Sequence, residues 1–463
     1  MDRGVKAASA STYGLTPCVS KRDAFRPTSK RLRYSVRDLV AIATSMSVAG
    51  SQQRTLLHLL AQLRPHWRTD RNLPARIQTL LSRNRSFGSR DRRLYRELIY
   101  TTLRFLPWIE PALERDPEFA TRVIAWLAAE SSSTAAFRAN AVSDWPACPP
   151  QIAEKAATLN TDVAINACRS GAGSTLAVRP EDLLPTWVGR ECPDAATSPQ
   201  IDALHARAPL WLRVNADALA QVTTEFDQRS WQWRRSPALP TALEFLSEAD
   251  VTKTTSFTEG RFEVQDLGSQ LLLESAGIEP AQRWLDACAG AGGKTLQLAQ
   301  ILGEHGKIDA FDVRRSALAE LSLRAARAHA HTITILSQPP TADYDGVLVD
   351  APCTGSGTWR RAPHLKWTTT APQISDAAHL QQTLLANFSA RVRPGGRLLY
   401  ATCSLNHSEN EAVVAAFLST HAQFKSEPPQ RSFGGSVRGG GLTLLPALHN
   451  TDGFFIAAFR HQL

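Results

Sequence analysis

A glycine-rich loop followed by a regular alternation of strand-like and helix-like segments is the feature that most limits how this chain can fold. The loop, Asp-Ala-Cys-Ala-Gly-Ala-Gly-Gly-Lys-Thr at residues 286–295, lies between a short apolar segment and a segment with helical periodicity. The alternation continues to about residue 418, and two more strand-like segments close the chain. This order predicts an α/β fold with a doubly wound, mostly parallel sheet whose strand ends bind a ligand.

The preceding residues divide into segments of different character. A chain of 463 residues is long enough for two to four domains. Apolar residues recur at three- and four-residue spacings from Val36 to Phe105, which predicts helices. Proline and glycine near residues 180–199 predict a linker. We therefore expect a basic, disordered arm at 1–35, a helical domain at 36–180, a small α/β module at 200–262 and a catalytic domain at 263–463.

Positive charge is concentrated at the N-terminus. The net charge is +9, and residues 1–110 hold 21 Lys and Arg against 7 Asp and Glu. Such asymmetry favours a polyanionic partner, because Lys and Arg release counterions when they contact phosphate. A solvated basic surface is the alternative. The composition of residues 1–35 also fits an organelle transit peptide.

The cysteines and the hydropathy indicate a soluble protein in a reducing compartment, which we expect to be the cytoplasm. Seven cysteines occur without a Cys-x-x-Cys pair, so neither zinc nor a disulfide framework is expected. No apolar run approaches the roughly 18 residues of a membrane span, and no signal peptide is recognised.

The glycine-rich loop has the character of a nucleotide-binding turn. Its glycines permit close approach of the backbone to a ligand. Neither the GxGxxG spacing of dinucleotide sites nor the complete GxxxxGK[ST] of phosphate-binding loops is present, so a generic tight turn remains an alternative. Asp312 ends the next strand-like segment, where a carboxylate accepts hydrogen bonds from ribose hydroxyls or caps a helix.

Two cysteines follow further strand-like segments. Cys353 lies in Asp-Ala-Pro-Cys-Thr-Gly-Ser-Gly at 350–357, and Cys403 lies in Tyr-Ala-Thr-Cys-Ser at 400–404. A thiolate is a strong nucleophile that adds to an electron-poor ring carbon. A buried structural cysteine is the alternative. Further on, Ser408 and Glu411 have the spacing of a helix capping box.

These motifs, in this order, resemble those of the RsmB/Nop/Sun family of S-adenosylmethionine-dependent RNA cytosine-5 methyltransferases. The resemblance is loose over residues 36–110 and closer over 200–463. It implies a Rossmann-like methyltransferase fold with a mostly parallel seven-stranded sheet, an all-helical NusB-like N-terminal domain and a small α/β RNA-binding module. It also implies S-adenosyl-L-methionine as the cofactor.

The resemblance assigns roles to individual residues. Cys403 is expected to attack cytosine and Cys353 to assist product release, with Asp350 and Lys294 as further catalytic residues. Ala291 stands where proline is more usual, and Gln338 or Ser337 where an acidic residue is expected near the adenine. The residues expected to bind the cofactor are Cys288, Ala289, Gly290, Ala291, Gly292, Gly293, Lys294, Asp312, Gln338 and Asp350.

RNA is the expected partner. Arg360 and Arg361 are expected to hold RNA phosphate, and Arg92 and Arg93, on a predicted helix, to face RNA. The NusB-like segment favours 16S ribosomal RNA, with transfer RNA second. A catalytically silent RNA-binding assembly factor and a nicotinamide-dependent oxidoreductase are the rival classes, which the two cysteines and the glycine spacing disfavour. A monomer without metal is expected.

Overall fold

The computed structural model describes residues 48–163 and 177–463, all within one compact unit. The expected basic arm at 1–35 lies outside these residues, as do residues 36–47 and 164–176 of the expected helical domain. Among the residues described, no helix is long and apolar enough to cross a bilayer.

Residues 48–163 form a helical region. Leucine, isoleucine and tryptophan side chains recur on the inner faces of the helices, and Leu98, Trp108 and Trp126 are buried in one shared core. Asp116 starts α5 by accepting a hydrogen bond from the Phe119 amide at 2.9 Å. The prediction of an N-terminal helical region is confirmed. The helices are α1 (Val48–Leu63), α2 (Leu73–Arg83), α3 (Ser89–Arg104), α4 (Leu106–Arg115), α5 (Pro117–Leu127), α6 (Ala135–Val142) and α7 (Ile152–Thr158).

A small antiparallel sheet follows two short helices, α8 (Val188–Glu191) and α9 (Ser198–His205). Its spatial order is β2-β3-β1-β4. Phe226 packs edge-on against Phe245 and Phe262, which fills the core beneath the sheet. We call residues 210–264 the small sheet module. Its elements are β1 (Leu210–Val214), α10 (Leu219–Gln228), β2 (Trp233–Arg235), β3 (Ala242–Phe245), α11 (Thr255–Thr258) and β4 (Phe262–Val264).

The C-terminal part contains a larger sheet with the spatial order β11-β12-β13-β9-β8-β5-β6-β7, and β10 pairs with β13. The neighbouring strands β9, β8, β5, β6 and β7 are parallel, and β13 runs antiparallel to β9. The strands are β5 (Arg283–Asp286), β6 (Lys307–Ala310), β7 (Ile333–Ile335), β8 (Tyr344–Asp350), β9 (Val392–Thr402), β10 (Phe424–Glu427), β11 (Ser436–Arg438), β12 (Gly441–Leu444) and β13 (Phe454–His461).

This sheet confirms the predicted Rossmann-like fold, but it has nine strands where seven were expected. The additional strands are the short β10 and β11 at the antiparallel end. All three residues of β11 are exposed, so no alternation of apolar and polar residues marks this strand in the sequence.

Helices cover both faces of the large sheet. Successive strand residues enter opposite cores: Trp284 and Leu348 lie in one, and Leu285 and Val347 lie in the other. The carboxyl ends of the neighbouring β5, β8 and β9 therefore meet at one edge, where their loops lie side by side. The helices are α12 (Leu267–Ser275), α13 (Gly293–Leu302), α14 (Arg315–Arg327), α15 (Leu365–Thr368), α16 (Ala371–Ser389), α17 (Glu411–Thr420) and α18 (Pro446–His449).

Candidate active site

Three loops at the carboxyl edge of the large sheet bring the sequence-predicted residues together. The Lys294 ammonium, at the start of α13, donates a hydrogen bond of 2.8 Å to Asp350 at the end of β8. The sulfur atoms of Cys353 and Cys403, which follow β8 and β9, are 3.3 Å apart. Residues more than 100 positions apart in the sequence therefore surround one site.

The glycine loop has a backbone path that its glycines make possible. Gly290 and Gly292 have φ angles of +53° and +87°, a region that side chains disfavour. A Cβ atom added at Gly292 would lie 2.1 Å from Cδ1 of Leu321. The loop therefore makes a tight turn into the start of α13, with glycine required at position 292.

Asp312, in the loop after β6, is hydrogen-bonded to the glycine loop. Its carboxylate accepts hydrogen bonds from the Gly290 amide at 2.9 Å and from Arg314, whose backbone amide lies at 2.8 Å. Burial raises the pKa of Asp312, but the hydrogen bonds from Arg314 and Gly290 outweigh burial and lower it. Asp312 is therefore ionised at neutral pH and holds a fixed position beside the loop.

Gln338 follows β7 in the chain. Its side chain is exposed and makes no hydrogen bond with any described residue. Its role at the adenine stays a prediction.

The two cysteines have different protonation preferences. The hydrogen bond donated by Cys353 lowers the pKa of Cys403, with help from Arg361 and Lys294 against burial and the charge of Asp350. The same hydrogen bond, then burial and the charge of Glu409, raise the pKa of Cys353. Cys403 is therefore the more acidic thiol of the pair, and Cys353 the less acidic one.

The sequence analysis did not identify Glu409, which is fully buried. This residue joins the loops that follow β8 and β9, here called the cysteine loops. Its carboxylate accepts hydrogen bonds from the Thr354 amide at 2.8 Å, the Ser404 hydroxyl at 2.6 Å and the Asn406 amide at 2.8 Å. Thr354 and Ser404 directly follow the two cysteines. One carboxylate thus fixes the relative position of both sulfur atoms.

Lys294 has a strong electrostatic partner. Burial acts to lower the pKa of Lys294, but the attraction of Asp350 outweighs burial and raises it. The ammonium group therefore stays charged close to Cys403, where it favours a negatively charged sulfur.

The four predicted RNA-binding arginines are not equivalent. Arg361 is 55% exposed and pairs with the buried Asp452. Arg360 is only 3% exposed, and its guanidinium donates to Asn450 and to the Arg207 carbonyl. Burial corrects the expectation that Arg360 holds RNA phosphate, because the side chain is enclosed and both terminal nitrogens already donate to protein atoms.

Arg92 and Arg93 lie on α3 in the helical region. Arg93 is exposed and Arg92 is partly buried. Neither makes a hydrogen bond or an ion pair with the cysteine loops among the residues described.

The sheet order, the glycine loop at the start of α13 and the ionised carboxylate after β6 together define a Rossmann-like methyltransferase domain. Residues 275–460 match the family model described as 16S rRNA methyltransferase RsmB/F. This match confirms the resemblance seen in the sequence for the C-terminal part of the chain.

Known methyltransferases are similar to this chain over part of their length. A Synechocystis sp. protein named probable ribosomal RNA small subunit methyltransferase B is 39% identical over 45% of this chain and 49% of its own length. Ribosomal RNA small subunit methyltransferase B of Xanthomonas campestris is 31% identical over 59% of this chain and 65% of its own. The chain thus spans less than two thirds of either relative.

A solved structure has the same fold. The crystal structure of a methyltransferase homologue from Pyrococcus horikoshii superposes with a TM-score of 0.52 and 27% sequence identity. The superposition covers 59% of this chain and 93% of the other.

Proposed function

We propose that this protein is an S-adenosylmethionine-dependent RNA cytosine-5 methyltransferase that acts on small-subunit ribosomal RNA. The observation that carries the proposal is the pair Cys353–Cys403, with sulfur atoms 3.3 Å apart and pKa values displaced in opposite directions. Cytosine methylation at C5 needs a nucleophile that adds to C6 and a base that takes the C5 proton, and the more acidic sulfur of the pair suits the first role. The names of the relatives support ribosomal RNA as the substrate.

The residues present fit a nucleoside cofactor. Positive φ angles at Gly290 and Gly292 turn the backbone tightly before α13, and Asp312 is ionised beside the loop. We assign cofactor binding to residues 288–294, Asp312 and Asp350. When bound, S-adenosylmethionine would supply a methyl group from its sulfonium, with the thioether S-adenosylhomocysteine as the leaving group.

Residues of the protein are proposed to carry out the attack on cytosine and the release of the product. The target cytidine is turned out of its RNA context so that its ring reaches the site. The Cys403 thiolate then adds to C6, and the electron pair released into the ring makes C5 nucleophilic. After methylation, a base at or near Cys353, such as a water molecule, takes the C5 proton. The C5–H electron pair restores the C5–C6 double bond as the C6–sulfur bond breaks, which releases the Cys403 thiolate.

Exposed cations support RNA as the partner. Arg361 lies beside the cysteines, and we propose that it contacts RNA phosphate near the target. The helical region, with Arg92 and Arg93, and the small sheet module are proposed to extend this contact.

The test is transfer of labelled methyl groups. The protein is incubated with methyl-labelled S-adenosylmethionine and separate pools of unmodified ribosomal and transfer RNA, and the labelled nucleoside is identified after digestion. We expect 5-methylcytidine from ribosomal RNA. Label in transfer RNA alone would correct the substrate. No label in either pool, or label in another nucleoside, would contradict the proposed reaction.

A further inference from the structure

The glycine loop is held from outside by a residue of α14. One guanidinium nitrogen of Arg324, Nη1, donates a hydrogen bond of 2.7 Å to the carbonyl of Ala291, between the two left-handed glycines. Ala291 leaves the backbone free to rotate about φ, which a proline ring would prevent. The bond to its carbonyl is therefore an external restraint on the loop.

Arg324 is itself held by the small sheet module. Its Nε and Nη2 donate to the same oxygen of Glu263 at 3.2 and 3.0 Å. Glu263 lies on β4 and is 4% exposed. Its other oxygen pairs with Arg327. Because this carboxylate is shielded from water, its two ion pairs are screened less than surface pairs.

Close packing accompanies these bonds. The Cβ position of Gly260, in the small sheet module, lies 2.0 Å from the Arg327 carbonyl, and that of Gly292 lies 2.1 Å from Leu321. Both neighbours belong to α14. This helix therefore contacts the small sheet module at its end and the glycine loop at its middle, without room for a side chain at either contact.

We propose that Arg324 is a positioning residue for the cofactor loop and that Glu263 of the small sheet module orients it. The module thus contributes to cofactor affinity without touching the cofactor. This inference rests on the proposed function for the identity of the cofactor. A loop without the Arg324 bond has to be ordered when the cofactor binds, which lowers affinity.

The experiment compares two arginines that share one carboxylate. The full chain and its variants Arg324→Gln and Arg327→Gln are titrated with S-adenosylhomocysteine by calorimetry. Both variants lose an ion pair with Glu263, but only Arg324→Gln loses the bond to Ala291. We expect affinity to fall about tenfold in Arg324→Gln, as for loss of one charge-assisted hydrogen bond, and to change little in Arg327→Gln.

A second pair tests the role of the module. Glu263→Gln is expected to weaken binding because Arg324 loses the carboxylate that orients it. Glu259→Gln is the matched control, since Glu259 is half-exposed and pairs with Arg261 of the same module. In steady-state assays, Arg324→Gln and Glu263→Gln should raise the KM for S-adenosylmethionine and leave kcat unchanged, which a loss of folded protein would not do.

Several results would overturn the inference. They are unchanged affinity in Arg324→Gln, an equal loss in Arg327→Gln, or unchanged affinity in Glu263→Gln. If Arg324→Gln does not fold, Glu263→Gln alone decides. Failure of the unaltered chain to bind S-adenosylhomocysteine would contradict the proposed function instead.

Discussion

At the scale of single residues, the site consists of two chemically identical side chains that their surroundings make different. Cys403 lies near Lys294 and Arg361, whereas Cys353 lies near the Glu409 carboxylate. The hydrogen bond between the two sulfurs adds to this difference, because a donor stabilises the thiolate that accepts from it. Position in the sequence alone does not distinguish attacking from releasing cysteine, but this geometry favours Cys403 for attack.

Replacing each cysteine should block a different step. Cys403→Ala should abolish turnover while cofactor binding persists, because the nucleophile is lost. Cys353→Ala should form the covalent RNA adduct and release it slowly. Denaturing gels with labelled RNA measure the adduct, and titration with S-adenosylhomocysteine measures binding. Turnover at the unaltered rate in Cys403→Ala would refute the assignment.

The pKa difference predicts selective alkylation. Iodoacetamide at neutral pH should modify Cys403 before Cys353, because only the thiolate reacts. In Cys353→Ala the hydrogen-bond donor is absent, so the Cys403 pKa should rise and the pH midpoint of its alkylation should move upward. Peptide mass spectrometry across a pH series measures both effects. A downward shift would show that Cys353 does not stabilise the thiolate.

Glu409 should matter for activity although it contacts no substrate. Glu409→Gln turns one accepting oxygen into a donor that faces the Thr354, Ser404 and Asn406 donors. Leaving buried donors unpaired costs about 1–3 kcal/mol each, and the cysteine loops lose their common anchor. We expect a lower melting temperature and about a hundredfold lower kcat. Glu411→Gln, two residues on, is the control and should retain most activity.

At the scale of secondary-structure elements, the large sheet was predictable and its connecting contacts were not. Short apolar segments that alternate with helix-like segments indicated the strands that end at the glycine loop and at the cysteines, because buried parallel strands are apolar throughout. The contacts of Glu409 and Arg324 depend on packing between distant segments. Ser408 and Glu411 have capping-box spacing, yet α17 begins after Asn410 without a side-chain cap.

The burial of Arg360 could not be predicted from the sequence either. Arg360 and Arg361 are adjacent and chemically alike, but the first is enclosed and the second is half-exposed. Two adjacent arginines give no periodic pattern that distinguishes the buried residue from the exposed one. The phosphate-binding expectation was therefore wrong for Arg360. Its hydrogen bonds connect the segment that follows Cys353 to Arg207 and Asn450.

The start of α13 gives a prediction at this scale. Gly292→Ala places a Cβ atom against Leu321 and forces an alanine to adopt a positive φ. We expect a loss of roughly 1–3 kcal/mol in the free energy of unfolding and loss of S-adenosylhomocysteine binding. Gly293→Ala is the control for stability, since a Cβ atom there meets nothing within 4 Å. Denaturant titration compares the two.

At the scale of the whole molecule, the helical region contacts the segment that follows Cys353. The Arg104 guanidinium donates to the Arg360 carbonyl at 3.1 Å, and Lys366 donates back to the Arg104 carbonyl at 2.8 Å. Trp367 donates to the Leu103 carbonyl at 2.6 Å. The helical region is thus joined by hydrogen bonds to the chain segment that follows Cys353.

RNA affinity should depend on salt through the helical region. If Arg92 and Arg93 each contact one phosphate, each change to Gln should reduce the slope of log affinity against log salt by about 0.7–0.9. Arg283→Gln is the control, because Arg283 begins β5 at the edge opposite the site. Filter binding across a salt series measures the slopes. Equal slopes in all variants would remove Arg92 and Arg93 from the RNA surface.

The closeness of Cys353 and Cys403 has a practical consequence. Two thiols in van der Waals contact need only a small movement and a two-electron oxidant, such as peroxide, to become a disulfide, with the loss of two protons. The bond would remove attacking and releasing groups in one event, and a dithiol reductant would restore both. Preparations handled in air would then lose activity in proportion to lost thiols, without any change in sequence or fold.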